Sequence, residues 1–214
     1  MNIIRFNNVI PQVFASIDRL DSEVWGQDIT FERGNIYLVE AASGKGKSTF
    51  CSYISGYRHD YSGQILFDET DIKTYNSKQW SQLRQRNISL LFQELRLFPE
   101  LTALENVQIK NQLTEHLDTN IILDWFRRLG IEEKINQQLS KMSFGQQQRV
   151  AMIRSLSQPF DILLADEPIS HLDDVNADAM ADIMIEAARQ QNACVIVTSI
   201  GKHMNIKYDK VIKL

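Results

Sequence analysis

Ser43-Gly44-Lys45-Gly46-Lys47-Ser48-Thr49 follows the apolar run Ile36-Tyr37-Leu38-Val39 and precedes Phe50-Cys51-Ser52-Tyr53-Ile54, which reads as the start of a helix. Strand, glycine loop, helix is the order that a phosphate-binding loop requires. Glycines let the backbone curl until several N–H groups point at one anion. The helix N-terminus adds the positive end of its dipole at the same spot. In this reading Lys47 reaches the β- and γ-phosphates of a nucleotide as a point charge, and the Ser48 hydroxyl holds Mg²⁺. One position departs from G-x-x-x-x-G-K-[ST]. Ala41 stands where the first glycine belongs, so the loop entry must take a geometry that alanine accepts. The plain alternative is an ordinary strand–turn–helix junction.

Composition narrows the classes. The chain has 214 residues, 43% hydrophobic and 23% charged, which is ordinary for one globular core with room for a smaller lobe. The net charge of −4 argues against broad electrostatic binding to nucleic acid. Cys51 and Cys194 lie far apart in apolar surroundings and read as small buried hydrophobes in a reducing compartment rather than a disulfide. No apolar run approaches the roughly 18 residues that span a bilayer. The N-terminal residues lack the shape of a signal peptide, so the expected location is cytoplasmic, and any membrane role comes through a partner.

Along the chain, residues 3–14 and 24–32 lean toward strand, and Arg33-Gly34-Asn35 marks a turn before the strand at 36–39. The helix after the loop stops near Gly56, and Ser62-Gly63 turns into a strand at 64–68. Residues 77–86 form a polar helix and 88–92 a buried strand. Over 100–140, Ile121, Ile122, Trp125, Phe126 and Leu129 recur at helical spacing, Gly130 closes that helix, and 131–139 starts another. This is a helical insertion whose aromatic residues read as its core. Residues 146–157 are helical. Ile162-Leu163-Leu164-Ala165 is the continuous run of a strand covered on both faces. A helix at 175–190 and strands at 194–198 and 210–214 complete an alternation that means a mainly parallel sheet.

Asp166 and Glu167 sit at the C-terminal end of that strand, where open α/β sheets bind ligands. Asp166 fits the role of holding Mg²⁺, and Glu167 that of orienting a water for attack on a γ-phosphate. With these residues in place, nearly the whole chain resembles the nucleotide-binding domains of the ATP-binding cassette (ABC) family. Gln93 after Leu91-Phe92 is similar to the Q-loop. Ser143-Phe144-Gly145-Gln146 after Met142 resembles the signature, and Ser170-His171-Leu172-Asp173 the D-loop. Ala165-Asp166-Glu167-Pro168 is similar to the branch that serves lipoprotein release, macrolide-type export and cell division.

The resemblance implies a single ABC ATPase domain over residues 1–214, with an α/β P-loop NTPase fold. It has a mainly parallel core sheet, an N-terminal antiparallel β subdomain (about 1–35 and 60–70) and a helical subdomain insertion (about 95–145). It implies ATP and Mg²⁺ as cofactors. Nucleotide is held by Ala41, Ala42, Ser43, Gly44, Lys45, Gly46, Lys47, Ser48 and Thr49, with Phe14 stacked on adenine. Metal is held by Ser48, Gln93 and Asp166, and catalysis by Glu167, Lys47 and Gln93. Two cassettes stack head to tail, as homodimer or heterodimer, so that the signature of one, Ser143 to Gln146, completes the site of the other. The implied partner is an integral-membrane permease on the inner face of the cell membrane, and no nucleic acid.

Three positions depart from the family pattern: Ala41, Phe144 in place of the first signature glycine, and Ser199-Ile200 where the switch histidine should follow Val197-Thr198. Phe144 must point away from the nucleotide. A serine is shorter than imidazole and carries no charge near neutral pH. Loss of one transition-state donor often costs about 10²–10³ in rate. The expectation is therefore an ATPase that powers a transporter, weakened at Ser199. The alternative is a slow-turnover ATP-gated regulator of a membrane or envelope partner. A cassette acting on DNA or ribosomes ranks last. His203, four residues on, is a candidate replacement for the missing imidazole.

Overall fold

In the computed structural model the described residues are 1–17 and 20–214. The apolar run at 36–39 is strand β3 (Ile36–Glu40) of a five-stranded sheet. Its other strands are β6 (Ile88–Leu91), β7 (Ile162–Asp166), β8 (Cys194–Ser199) and β9 (Lys210–Lys213), in the order β6-β7-β8-β3-β9. Every pairing is parallel. Parallel neighbours need long crossovers, so helices cover both faces of the sheet, and β7 and β8 are buried along their whole length. In register Asp166 lies opposite Thr198 and Glu40 opposite Ser199. The C-terminal ends of β3, β7 and β8 therefore open into one crevice.

A second, antiparallel sheet has the order β2-β1-β4-β5, from β1 (Ile3–Pro11), β2 (Asp28–Glu32), β4 (Tyr61–Phe67) and β5 (Thr70–Asp71). Helix α1 (Lys47–Ile54) lies between the two sheets and buries Phe50, Tyr53 and Ile54. Its aromatic residues join Phe6, Trp25 and Phe31, with Phe6 stacked on Phe50 at 5.3 Å. Two sequence expectations fail in this region. Strand β2 begins only at Asp28, because Gly26 has φ +73° and turns the chain after the buried pair Val24 and Trp25. Ser62-Gly63 is not a turn but part of β4, at a bulge where the β1–β4 register shifts between Asn7 and Ile10.

The insertion holds α3 (Ala103–Asn111) and α4 (Thr119–Arg128), between α2 (Ser77–Arg86) and α5 (Phe144–Leu156). Thr102 and Glu105 close a capping box at the start of α3, which stops the chain from fraying there. Ile122, Trp125 and Phe126 of α4 are buried in the core of the lobe, as their spacing predicts. The helix expected over 131–139 is absent. Two single 3₁₀ turns stand there, Glu132–Lys134 and Leu139–Lys141. The carbonyls of Ile135 and Gln137 instead accept from the N–H groups of Leu104 and Ala103, and Leu139 N–H donates to Leu101. Backbone groups spent on another segment cannot close helical turns. Helix α5 starts at Phe144, two residues earlier than expected, because Ser143 caps it. Helix α6 (Asp174–Gln190) packs on the sheet and completes the core. Cys51 and Cys194 are free and buried, as expected.

Gly63 has φ +78°, and a Cβ there would come within 2.2 Å of the Asn8 carbonyl oxygen. A backbone acceptor cannot swing away, so Gly63→Ala combines left-handed strain with a clash. The expected cost is about 3 kcal/mol, seen as a Tm lowered by about 10 °C in thermal unfolding. An unchanged Tm would mean that the bulge relaxes freely.

Candidate active site

The glycine loop folds as the phosphate reading requires. Gly44 and Gly46 take φ +78° and +102°, and Gly46 is the N-cap of α1. From Ser43 to Thr49 every backbone N–H except that of Lys45 lacks a protein acceptor among the described residues. The N–H groups of a helix start have no intrahelical acceptor, and six free donors gathered around one such start form a ready anion site. Ala41 does not take a left-handed φ. Its N–H donates to Ser199 O at 3.1 Å, so the missing first glycine imposes no strain on the entry.

The functional side chains converge from three strand ends. Lys47 is buried, and its Nζ donates to Ala41 O at 3.1 Å and Ala42 O at 3.4 Å while standing 3.5 Å from Glu167 Oε1. Gln93 Nε2 donates to the other Glu167 oxygen at 3.4 Å. Asp166 accepts from Thr198 Oγ1 at 2.5 Å and from Ser48 Oγ at 3.3 Å. Burial pushes the Asp166 carboxyl above its ordinary range; the Thr198 and Ser48 hydroxyls and the Lys47 charge oppose that shift. Glu167 has φ +51°, an uncommon conformation for a side chain of this kind, and one that marks functional turns. Its N–H is held by Thr198 O at 3.2 Å. Loop, Gln93, Glu167 and Ile200 together line an open cavity of about 250 Å³.

Other predicted residues lie outside this cavity. Ser143 and Gln146 cap α5 reciprocally, Oγ accepting from Gln146 N at 3.3 Å and Oε1 accepting from Ser143 N at 3.0 Å. Phe144 turns its exposed ring edge-on to His171 at 4.6 Å, toward the D-loop of its own chain. Gly145 lies where a Cβ would meet Leu172 at 3.2 Å. Phe14 is half-buried against Gly46 and Trp25, 6.5 Å between ring centroids. Ser199 is buried, and its hydroxyl donates to Lys202 O at 2.7 Å and accepts from Gly201 N at 3.1 Å. His203 pairs with Glu40 at 2.6 Å and is not among the residues that line the cavity.

Sequence reasoning missed three contributors. Thr198 anchors both acidic residues. Lys202 ties the post-β8 loop to the D-loop through Leu172 O at 2.6 Å and Asp174 at 3.3 Å. Trp25 lies under the glycine loop and donates to Lys45 O at 3.2 Å. Only the apolar identity of Trp25 beside a glycine gave a local signal.

Because its folded pKa is raised, Asp166 holds its proton in the folded state at pH values where the unfolded chain has lost it. It therefore costs stability at neutral pH, and that cost disappears as pH falls below the ordinary carboxylate value. Asp166→Asn is expected to raise stability at pH 7.5 and to flatten its pH dependence in urea titrations between pH 4 and 7.5. A destabilised variant would show that the charge itself is needed for folding.

The description ABC transporter matches residues 26–170 as a family model. The uncharacterised ABC transporter ATP-binding protein Rv0073 of Mycobacterium tuberculosis is 29% identical over 192 residues, 88% of this chain. The chain spans only 58% of that relative's length. The lipoprotein-releasing system ATP-binding protein LolD of Syntrophus aciditrophicus is 31% identical over 182 residues, 81% of this chain and 79% of LolD. The dimeric structure of MJ0796, a bacterial ABC transporter cassette, has the same fold, with TM-score 0.77 and 24% identity over 92% of this chain and 87% of that one. A phosphate loop, paired carboxylates and a helical insertion in this order, with these relatives, place the chain in the ABC transporter family as an ATP-binding cassette.

Proposed function

We propose that this cassette binds Mg-ATP, hydrolyses it, and powers a transporter through ATP-driven pairing with a second cassette. The observation that carries this reading is the set of six free N–H donors beside Lys47, Gln93 and Glu167 at one cavity, with Asp166 reaching it through Ser48. The N–H groups and the α1 dipole hold the phosphates. Lys47 exchanges its two carbonyl acceptors for β- and γ-phosphate oxygens. Glu167, freed from Lys47, orients the attacking water, and Gln93 reports the state of the γ-phosphate.

The residues fit Mg²⁺. Asp166 is a buried carboxylate beside the Ser48 hydroxyl, and hard oxygen donors with one carboxylate suit this ion, the phosphates supplying the rest. Asp166, Ser48 and Gln93 would hold it, and it would supply neutralisation of the phosphate charge. Ser143, Phe144, Gly145 and Gln146 line none of their own chain's cavity, which supports their acting in trans on a partner cassette, identical or different. Among the described residues no helix is long and apolar enough to cross a membrane. The reading takes an integral-membrane permease as the partner through which the cassette is held at the membrane.

Ser199 favours a second reading, a slow ATP-gated regulator. A hydroxyl that already donates to Lys202 O cannot also donate to a γ-phosphate. Steady-state and single-turnover hydrolysis separate the two. The transporter-motor reading expects measurable turnover in the wild type and a loss of about 10²–10³ in kcat for Glu167→Gln, with ATP still bound. Wild-type ATP binding without turnover, with Ser199→His raising the rate tenfold or more, would give the regulator reading precedence. Equal rates for wild type and Glu167→Gln would remove Glu167 from catalysis.

A further inference from the structure

We infer that Trp25 is a positioning residue of the phosphate loop, whose indole N–H holds the Lys45–Gly46 peptide in its anion-binding orientation. The inference rests on the nucleotide reading above and deepens it. Lys45 stands between two glycines in left-handed conformations, and glycine gives little resistance to rotation of a neighbouring peptide. That peptide has two useful orientations. Across a trans peptide the C=O and the following N–H point in opposite directions. With the Lys45 carbonyl turned inward, the Gly46 N–H faces the cavity it lines. With the peptide flipped, a carbonyl oxygen would face the phosphates, replacing a donor with a negative dipole end.

The structure holds the first orientation from below. Trp25 Nε1 donates to Lys45 O at 3.2 Å. The same ring closes on Gly46, where a Cβ would lie 3.2 Å from Nε1 and 3.3 Å from Cζ2. The indole itself is fixed. Trp25 is 2% exposed, its backbone N–H donates to Ser22 Oγ at 2.9 Å, and the rings of Phe6, Phe50 and Tyr53 stand 6.1–6.4 Å away. A buried donor on a rigid ring costs the loop no further ordering when the ligand arrives. Lys45 contributes the opposite asymmetry: its N–H is already spent on Ala42 O at 3.3 Å, so this peptide junction offers phosphate only the Gly46 donor.

The test deletes the donor without the ring. Benzothienylalanine at position 25, in which sulfur replaces the indole N–H, keeps the shape of the aromatic cluster; Trp25→Phe serves as a second variant. ATP and ADP affinity are measured by titration calorimetry, and Tm without and with nucleotide. The expected result is a Kd for both nucleotides weakened about fivefold, an unchanged unliganded Tm of the isostere, and a correspondingly smaller rise of Tm on adding ATP. Unchanged Kd in the folded isostere overturns the role of Trp25 and leaves the nucleotide reading intact. Failure of the unmodified chain to bind ATP or ADP overturns both. A fall in Tm with Kd unaltered assigns the indole to packing alone and also overturns the inference.

Discussion

The architecture depends on leaving hydrogen bonds unmade. A folded chain pairs nearly all its backbone donors, yet this one concentrates six free N–H groups across the glycine loop and the first turn of α1. That arrangement suits an anion, and everything around the loop is well anchored. The parallel sheet fixes the strand ends that open into the crevice. The aromatic cluster fixes α1 from behind, and Trp25 fixes the loop's central peptide. An unanchored loop would turn its donors onto nearby carbonyls, much as Lys47 now leans on Ala41 and Ala42.

The same region carries other local costs. Asp166 is a carboxylate taken out of water, Glu167 sits in a left-handed conformation, and Lys47 is a buried ammonium. Each is unfavourable for a chain selected only to fold. They adjoin one another because the end of β7, which sets Asp166 and Glu167, lies beside the helix start after β3 that carries Lys47. Thr198 accepts this burden through two bonds, its hydroxyl donating to Asp166 and its carbonyl taking the Glu167 N–H.

Much of this was legible in the sequence, for physical reasons. Glycines with a lysine, a continuous apolar strand and helical spacing of Trp125 and Phe126 are local chemistry, and local chemistry decides local structure. What stayed hidden depends on distant neighbours. Residues 131–139 have helical-looking composition, but their carbonyls serve the start of α3 some thirty residues away. Trp25 looked like part of a strand until the glycine loop was laid over it. Nothing near Ser199 reveals that Gly201 and Lys202 occupy its hydroxyl. Phe144 had to point away from nucleotide, but its destination, the imidazole of His171, belongs to tertiary packing.

The two cysteines have a practical consequence. Both are enclosed, at 3% and 1% exposure, and burial holds both thiols above their ordinary range, Cys51 well above it beside the Asp166 charge. Thiolate is the reactive form, so neither offers maleimide or methanethiosulfonate reagents a nucleophile while the chain is folded. The unaltered protein is already a silent background for site-directed labelling. A cysteine introduced at an open position such as Val175, which is 80% exposed on the first turn of α6, would carry a spin label or fluorophore alone. Distances between two cassettes could then be followed through a nucleotide cycle without first removing a native thiol from beneath the phosphate loop.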